Sequence, residues 1–251
     1  MSAPGETKTL SGRRLADADR FVARISAACR RDAGAGQALR SALGRTPAEA
    51  IRAHRYVAAQ LPDDPVADLE WAHYTVAALI ALYEPEARPA KDRSRPAEGG
   101  SEVGDQIHGE AGGQADAEGG RKPRTRAERL RLGNLGAVLG RLDAPETNGS
   151  EPDPEGRRAA RLHALMREDL AGIHAALPGV MRMAAADDGR MDWGVLLHDL
   201  ADWDRDSLRE AAVLRWSTAY YKALTKTSAD RSDTGAGDGH DSDNESKGET
   251  R

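Results

Sequence analysis

The sequence is poor in cysteine, and it contains no long apolar run. Cys29 is the only cysteine, which excludes a disulfide within the chain and a cysteine-based metal cluster. No stretch approaches the ~20 apolar residues of a membrane span, and the first residues lack the apolar core of a signal peptide. We therefore expect a soluble, cytoplasmic protein with no membrane partner.

Motifs of catalysis, phosphate binding and metal coordination are also missing. The seven histidines show no His-Glu-x-x-His spacing, and there is neither a P-loop nor a Gly-x-Gly-x-x-Gly fingerprint. The acidic C-terminal stretch contains Asp-x-Asp-x-Glu without the remainder of a calcium-binding loop. The sequence therefore predicts no catalytic residue, no metal site and no cofactor, and an enzyme ranks last among the possible functions.

The net charge of −5 is unevenly distributed along the chain. Residues 13–83 carry 10 Lys and Arg against 8 Asp and Glu, and residues 121–226 carry 18 against 16. Residues 84–120 carry 4 against 9 and residues 227–251 carry 3 against 7, and both stretches are rich in Gly and Ser. The first two segments are mildly basic and foldable, whereas the other two have the composition of acidic disordered chain. A basic folded part is compatible with a nucleic-acid partner but does not require one.

Apolar residues recur at helical spacing nearly everywhere, and no alternating strand pattern is present. Val66, Leu69, Ala72, Val76 and Leu79 are one example. We expect an all-α fold of two small helical-bundle domains joined by a disordered linker. The expected division is an N-terminal helical domain over 1–83, a disordered acidic insertion over 84–120, a C-terminal helical domain over 121–226 and a disordered acidic tail over 227–251.

Local signals predict where several helices begin and end. Thr46 and Glu49 form a capping box with Pro47 between them, and the helix that follows should bury Ile51. A long helix carrying Leu162 through Leu177 should end before Pro178.

The apolar stripe over residues 132–142 is interrupted by three glycines, which have two interpretations. Either the helix begins late, with Asn134 as its cap, or the glycines allow a neighbour to approach closely. The late start is favoured. Further along, Asp192 should cap the next helix.

Three tryptophans could stack on nucleobases, but their positions favour the core. Trp193, Trp203 and Trp216 lie on the apolar faces of their helices. Likewise, His163 and His174 are predicted to be partly buried structural residues rather than ligands.

One combination of motifs resembles a known family. It comprises the Arg-led segment 161–169, then Asp192-Trp193, Leu196-Leu197, Asp199-Leu200 and Trp203, and finally Trp216 with Tyr220-Tyr221. Leu135-Gly136 and the segments 37–40 and 43–45 add weaker matches upstream. Together they resemble CasB, the small subunit of type I-E CRISPR Cascade complexes.

The resemblance implies a non-catalytic helical subunit present as a pair of copies. It would contact the other Cascade subunits with crRNA, bind the displaced single-stranded non-target DNA and stabilise the R-loop in antiviral defence. The alternative is a helical protein–protein adaptor without direct nucleic-acid contact.

Basic residues outside the apolar pattern are the candidates for binding nucleic acid, because a guanidinium matches phosphate geometry. Arg40, Arg45 and Arg161 match basic positions of the family, and Arg24 belongs to a stripe of arginines on the first helix that also contains Arg13, Arg20 and Arg31. The predicted nucleic-acid-binding residues are Arg24, Arg40, Arg45, Arg55, Arg131, Arg141, Arg161 and Arg167. The acidic insertion and tail are hypothesised to compete with non-specific nucleic acid for this basic surface.

Overall fold

Helices make up all the regular secondary structure in the part of the chain that the computed structural model describes, residues 4–83, 124–144, 155–186 and 191–232. Three short 3-10 turns surround α3, at Pro47–Glu49, Ile51–Ala53 and Ala58–Gln60. The predicted all-α class is therefore confirmed. The α-helices of these ranges are α1 (Pro4–Arg31), α2 (Ala33–Arg40), α3 (His54–Val57), α4 (Ala67–Tyr83), α5 (Arg126–Leu132), α6 (Leu135–Asp143), α7 (Arg157–Leu165), α8 (Leu170–Ala186), α9 (Trp193–Leu200) and α10 (Asp206–Ser232).

Side-chain caps begin several helices where the sequence predicts them. The Asn134 side chain accepts a hydrogen bond from the backbone N–H of Ala137 at 3.0 Å, which starts α6 late, and Asp192 caps α9 through the N–H of Val195 at 3.1 Å. The carboxylate of Glu49 accepts hydrogen bonds from the backbone N–H of Thr46 at 3.0 Å and from its hydroxyl at 2.9 Å. These bonds satisfy donors that a helix start leaves without partners inside the helix.

The helix predicted to end before Pro178 is in fact two helices. α7 ends at Leu165, and α8 begins at Leu170, where the Asp169 carboxylate accepts a hydrogen bond from the N–H of Gly172 at 2.7 Å. Pro178 lies inside α8 rather than beyond its end. The expectation of one continuous helix was therefore wrong. The Asp169 cap begins a new helix at a position where the apolar spacing continues without a break.

Ile51 is 73% exposed, contrary to the expectation that it is buried. The capping box opens only a 3-10 turn, and Ala50 then leaves the helical conformation with φ −86° and ψ 37°. This break rotates the following residues relative to a continuous helix, so the apolar positions no longer share one face.

The predicted disordered insertion at 84–120 and residues 233–251 of the predicted tail lie outside the described residues. Residues 227–232, predicted to be the start of that tail, are instead helical, because α10 extends to Ser232. They hold no glycine or proline and continue an existing helix, in which each further residue adds a hydrogen bond at little cost.

The buried core includes residues from both sides of the insertion. α4 is buried around most of its circumference from Ala72 to Ala81, and it packs against α1, α2, α8 and α9. A helix that is apolar all round is typical of the centre of a fold. α9 also packs along α1, so the two halves share one core, and the predicted boundary between two domains remains a prediction.

Two glycines let α6 and α10 lie unusually close together. A Cβ at Gly136 or Gly140 would come within 3.0 Å of the backbone carbonyl oxygen of Trp216 or Tyr220, respectively. Both interpretations of the glycine-rich stripe therefore hold, since α6 starts late and is also approached closely.

Two of the three tryptophans lie in the core, as predicted. Trp203 and Trp216 are fully buried, with ring centroids 5.4 Å apart. Trp193 is only half-buried and stacks on Tyr83, with centroids 6.3 Å apart. His174 is buried and stacks on Trp71 with centroids 5.0 Å apart, and its Nδ1 lies 2.8 Å from the Thr75 hydroxyl.

Candidate nucleic-acid interface

The predicted arginines differ in whether protein groups already use their guanidinium groups. Arg40 is half-buried and donates a hydrogen bond to the carbonyl oxygen of Ala81 at 3.1 Å, near the C-terminal end of α4. A cation there is favourable because the last carbonyl groups of a helix carry partial negative charge. Arg40 therefore has a structural contact in addition to its predicted role.

Arg55 has partners on the surface next to α2. Its guanidinium lies 4.0 Å from the Asp32 carboxylate, contacts the hydroxyl of Tyr56 and sits 4.5 Å from the centre of the Tyr56 ring. Asp32 also caps α2 and accepts a hydrogen bond from the Tyr56 hydroxyl at 3.0 Å. These bonds, that from Tyr56 first, hold the pKa of Asp32 below its ordinary value, so a negative charge faces Arg55 at neutral pH.

Arg45 is exposed and follows a tight turn. Gly44 adopts a positive φ of 70°, a conformation that a side chain would strain. The carbonyl oxygen of Arg45 accepts a hydrogen bond from the Trp71 indole at 3.2 Å, which fixes the turn to α4 while the Arg45 side chain points into solvent. Arg45 is thus presented on a well-anchored loop.

The stripe of arginines on α1 is partly neutralised within the helix. Arg20 forms an ion pair with Asp17, three residues before it, and Nε of Arg31 donates to the carbonyl oxygen of Ala27 at 3.1 Å. Arg24 is exposed and forms no ion pair within the described residues. Of Arg20, Arg24 and Arg31, Arg24 is therefore the one whose charge is most accessible to phosphate.

Arg131 lies in the last turn of α5 and Arg141 in the last turn of α6, and both residues are exposed. Arg141 donates a hydrogen bond to the carbonyl oxygen of Leu132 at 2.9 Å. Loss of hydration around its guanidinium, and then the charge of Arg124, lower the pKa of Arg141. Arg124, which the sequence reasoning did not single out, thus lies close to Arg141.

Arg161 and Arg167 belong to α7 and the turn after it. Both are exposed, and neither forms an ion pair in the described part of the chain. The neighbouring Arg158 has a different role, because it donates to the Asp143 carboxylate at 2.7 Å and so joins α7 to α6. The structure therefore separates a structural arginine from two accessible ones within one short segment.

An ion-pair cluster that joins three helices was not predicted from the sequence. Arg129 on α5 donates to both carboxylate oxygens of Asp19 on α1, at 2.7 and 2.8 Å, and to both of Asp192 at the start of α9, at 3.0 and 2.9 Å. These hydrogen bonds, those to Asp19 first, raise the pKa of Arg129 above its ordinary value. Asp19 lies 110 residues from Arg129, and no local pattern reveals such a pair.

Asp199, Trp203 and Trp216 of the motif that carries the family resemblance lie in the core rather than on the basic surface. Asp199 is buried and accepts hydrogen bonds from the Trp216 indole at 2.7 Å and from Arg215 at 2.6 Å. A buried carboxylate requires such partners, because an unpaired charge away from water is costly. The fixed spacing of these residues thus reflects packing between α9 and α10.

Among the described residues, no group of three His, Cys, Asp or Glu side chains is placed to hold a metal ion. None of the helices in those residues is long and apolar enough to cross a membrane.

Comparison with known proteins gives a family match over most of the chain. The family described as "CRISPR-associated protein Cse2" matches residues 37–221. A chain in a solved "CRISPR RNA-guided surveillance complex" is 27% identical with a TM-score of 0.57, and the match covers 87% of this chain and 99% of that one. A chain in a "CRISPR RNA-guided surveillance complex, pre-nicking" is also 27% identical, with a TM-score of 0.58 and coverage of 86% and 98%. No curated protein matches significantly. The match over residues 37–221 shows that the chain belongs to the Cse2 family, also called CasB.

Proposed function

We propose that this protein is the non-catalytic small subunit of a type I-E CRISPR Cascade complex. In that complex it binds the displaced non-target DNA strand and the crRNA-bearing backbone, and so stabilises the R-loop. The family match over residues 37–221 carries the proposal. The similar chains in two CRISPR RNA-guided surveillance complexes support it.

A subunit that only binds can still decide whether an R-loop persists. The RNA–DNA heteroduplex is about as stable as the DNA duplex that it replaces, so contacts to the backbone of a strand tip the exchange. Phosphate contacts from arginines are independent of sequence, which suits a displaced strand of any sequence. No chemical step by this chain is required.

The accessible arginines are the best candidates for these contacts. Arg24, Arg161 and Arg167 are exposed and form no ion pair within the described residues. Arg45 and Arg131 are also exposed, although each lies near enough to a glutamate to help lower its pKa. Arg40, Arg55 and Arg141 already have protein partners, so a phosphate contact by these three must be shared with or replace an existing one.

The adaptor without direct nucleic-acid contact is the second candidate. Its support is the number of arginines that the protein itself uses, among them Arg129, Arg158 and Arg215. In that case the remaining exposed arginines are a solvated surface or contact neighbouring subunits. The proposed protein partners are the same in both cases, namely the other Cascade subunits and a second copy of this chain. The proposed location in both cases is the cytoplasm.

Charge reversal distinguishes the two candidates. Cascade is reconstituted from its subunits with wild-type chain, with Arg161→Glu/Arg167→Glu, or with the control Arg209→Glu. Arg209 lies on α10 and already pairs with Asp206 at 2.7 Å, so the control alters charge outside the proposed surface. The readout is the dissociation rate of the R-loop at several salt concentrations.

If the proposal is correct, the double variant shortens the R-loop lifetime about tenfold. It also reduces the salt slope by about 0.7 for each phosphate that the variant no longer binds, while Arg209→Glu has little effect. An R-loop that is as stable with the double variant as with wild type favours the adaptor. Equal reductions for the double variant and the control would show that net charge matters and that this surface does not.

A further inference from the structure

A cleft of about 470 Å³ lies where α1, the α5–α6 junction and the start of α9 meet. Its lining includes Arg124, Arg129, Arg141, Met191 and Trp193. The cleft combines residues from both sides of the acidic insertion, and only Arg141 among them was predicted to bind nucleic acid. The cleft is therefore a different surface from the one that carries the exposed Arg161 and Arg167.

The acidic side chains of this cleft are partly neutralised by Arg129. Asp19 and Asp192 both receive two hydrogen bonds from Arg129, and this one guanidinium with the two carboxylates leaves one net negative charge. Glu128 lies nearby on α5, and its carboxylate accepts hydrogen bonds from the backbone N–H and the hydroxyl of Thr125 at 2.8 and 3.0 Å. The three arginines of the lining outnumber its two aspartates by one, and Arg124 also lies near enough to Glu128 to help lower the pKa of that carboxyl. The cleft therefore keeps one net positive charge, on the side of Arg124 and Arg141.

Two neighbouring cations favour an anion between them. Within the described residues neither Arg124 nor Arg141 forms an ion pair, and the hydrogen bond of Arg141 to Leu132 uses only one of its donors. Each guanidinium offers five N–H donors in a planar fork that matches phosphate oxygens. Loss of hydration and repulsion from Arg124 lower the pKa of Arg141, and a bridging phosphate relieves the repulsion.

Another part of the lining is apolar and aromatic. Trp193 is half-buried and held in place by stacking on Tyr83 with an interplanar angle of 16°, and Met191 lies beside it in the cleft. Trp203 and Trp216, by contrast, are fully buried and inaccessible to any ligand. An immobilised, partly exposed indole is the kind of surface on which an unpaired base stacks.

We propose that this cleft binds one unpaired nucleotide of single-stranded nucleic acid, with a phosphate between Arg124 and Arg141 and the base against Trp193 and Met191. The site rests on the proposed nucleic-acid-binding function and adds to it a position at which a base, and not only the backbone, is held. Stacking tolerates any base, so the site remains independent of sequence.

Binding of the full chain to two fluorescent oligonucleotides of equal length tests the site. One is oligothymidylate and the other has abasic sugars throughout, so the phosphate number is the same. We expect wild type to prefer oligothymidylate at least about fivefold, which corresponds to the lower end of base–aromatic stacking. Equal affinity for the two oligonucleotides would overturn the base site.

Variants separate the phosphate from the base. Arg124→Gln should lower the affinity for both oligonucleotides about tenfold, whereas the control Arg209→Gln should leave both affinities unchanged. Trp193→Leu should remove the preference for oligothymidylate and leave binding to the abasic strand unchanged. If Arg124→Gln behaves like Arg209→Gln, the phosphate position is wrong.

Photo-crosslinking of wild-type protein covers the case in which Trp193→Leu does not fold. Oligonucleotides carrying 5-bromodeoxyuridine are irradiated, and crosslinked peptides are identified by mass spectrometry. Adducts on Trp193 or Met191 support the cleft, and adducts found only elsewhere contradict it. The R-loop measurement described above remains independent, because a complex that needs this chain but shows no base preference refutes the cleft alone.

Discussion

Gly136 on α6 lies directly against the backbone carbonyl of Trp216 on α10. A Cβ at residue 136 would meet this carbonyl oxygen well inside van der Waals contact. The two helices make the most extensive packing in the described structure, so their separation controls how deeply Trp216 and Tyr220 are buried.

Gly136→Ala should therefore destabilise the protein by at least about 2 kcal/mol, because α6 must move away from α10. Chemical denaturation of the full chain measures the change in the free energy of unfolding. Gly179→Ala in α8 is the matched control, since a Cβ there meets nothing within 4 Å. Gly179→Ala should stabilise the protein by up to about 1 kcal/mol. If Gly136→Ala is no more destabilising than Gly179→Ala, the close packing of α6 on α10 is contradicted.

The Arg129 ion pairs should contribute to stability more than a surface pair does. Arg129→Met leaves Asp19 and Asp192 without their partner, and both carboxylates are less exposed than Asp206 of the Arg209 pair. We expect a loss of about 2 kcal/mol for Arg129→Met and less than about 1 kcal/mol for the control Arg209→Met. Denaturation at low and high salt checks this, and equal losses for the two variants would show that the cluster adds nothing.

Acid should destabilise the protein through His174. Burial lowers the pKa of His174 to about 4, whereas an unfolded chain protonates this histidine near its ordinary value of 6.5. The unfolded state therefore binds the additional proton between these values, and the stabilisation present above about pH 6.5 is lost as the pH falls toward 4. The full loss is about 3 kcal/mol.

A neutral replacement isolates this contribution. His174→Gln should show a shallower decline of unfolding free energy between pH 6.5 and 4 than wild type, whatever its stability at pH 7. Parallel curves for the two proteins over this range would refute the prediction.

Charge in the acidic insertion should regulate non-specific binding. Residues 84–120 lie outside the described structure, but their excess of acidic residues is fixed by the sequence. Replacing their Asp and Glu by Asn and Gln should tighten binding of single-stranded DNA several-fold at low salt and have no effect at high salt, where charges are screened. Unchanged affinity at low salt would remove this hypothesis.

The sequence predicts local features of this fold well and long-range ones poorly. Asn134 and Asp192 cap helices because their side chains bond to backbone only a few residues away. The break between α7 and α8, the exposure of Ile51 and the pairing of Arg129 with Asp19 depend on contacts or conformations that spacing alone does not encode.

For the candidate site too, the sequence predicts some residues and misses others. Sequence reasoning identified exposed arginines such as Arg161 and Arg167, and the structure places both in solvent. It did not identify Arg124, whose proximity to Arg141 arises only when α5 and α6 pack. The apolar spacing also predicted that Trp193 lies in the core. Spacing within one helix does not show that the side chain lines a cleft formed with other helices.

R-loop lifetime in Cascade reconstituted with and without this chain tests the proposed function most directly. Both complexes contain the same crRNA and the remaining subunits. The loss of the R-loop over time is followed at near-physiological salt. If the chain stabilises the R-loop, its omission shortens the lifetime about tenfold or more, and adding wild-type chain back restores it. R-loops that form and persist equally in both complexes would contradict the proposed function.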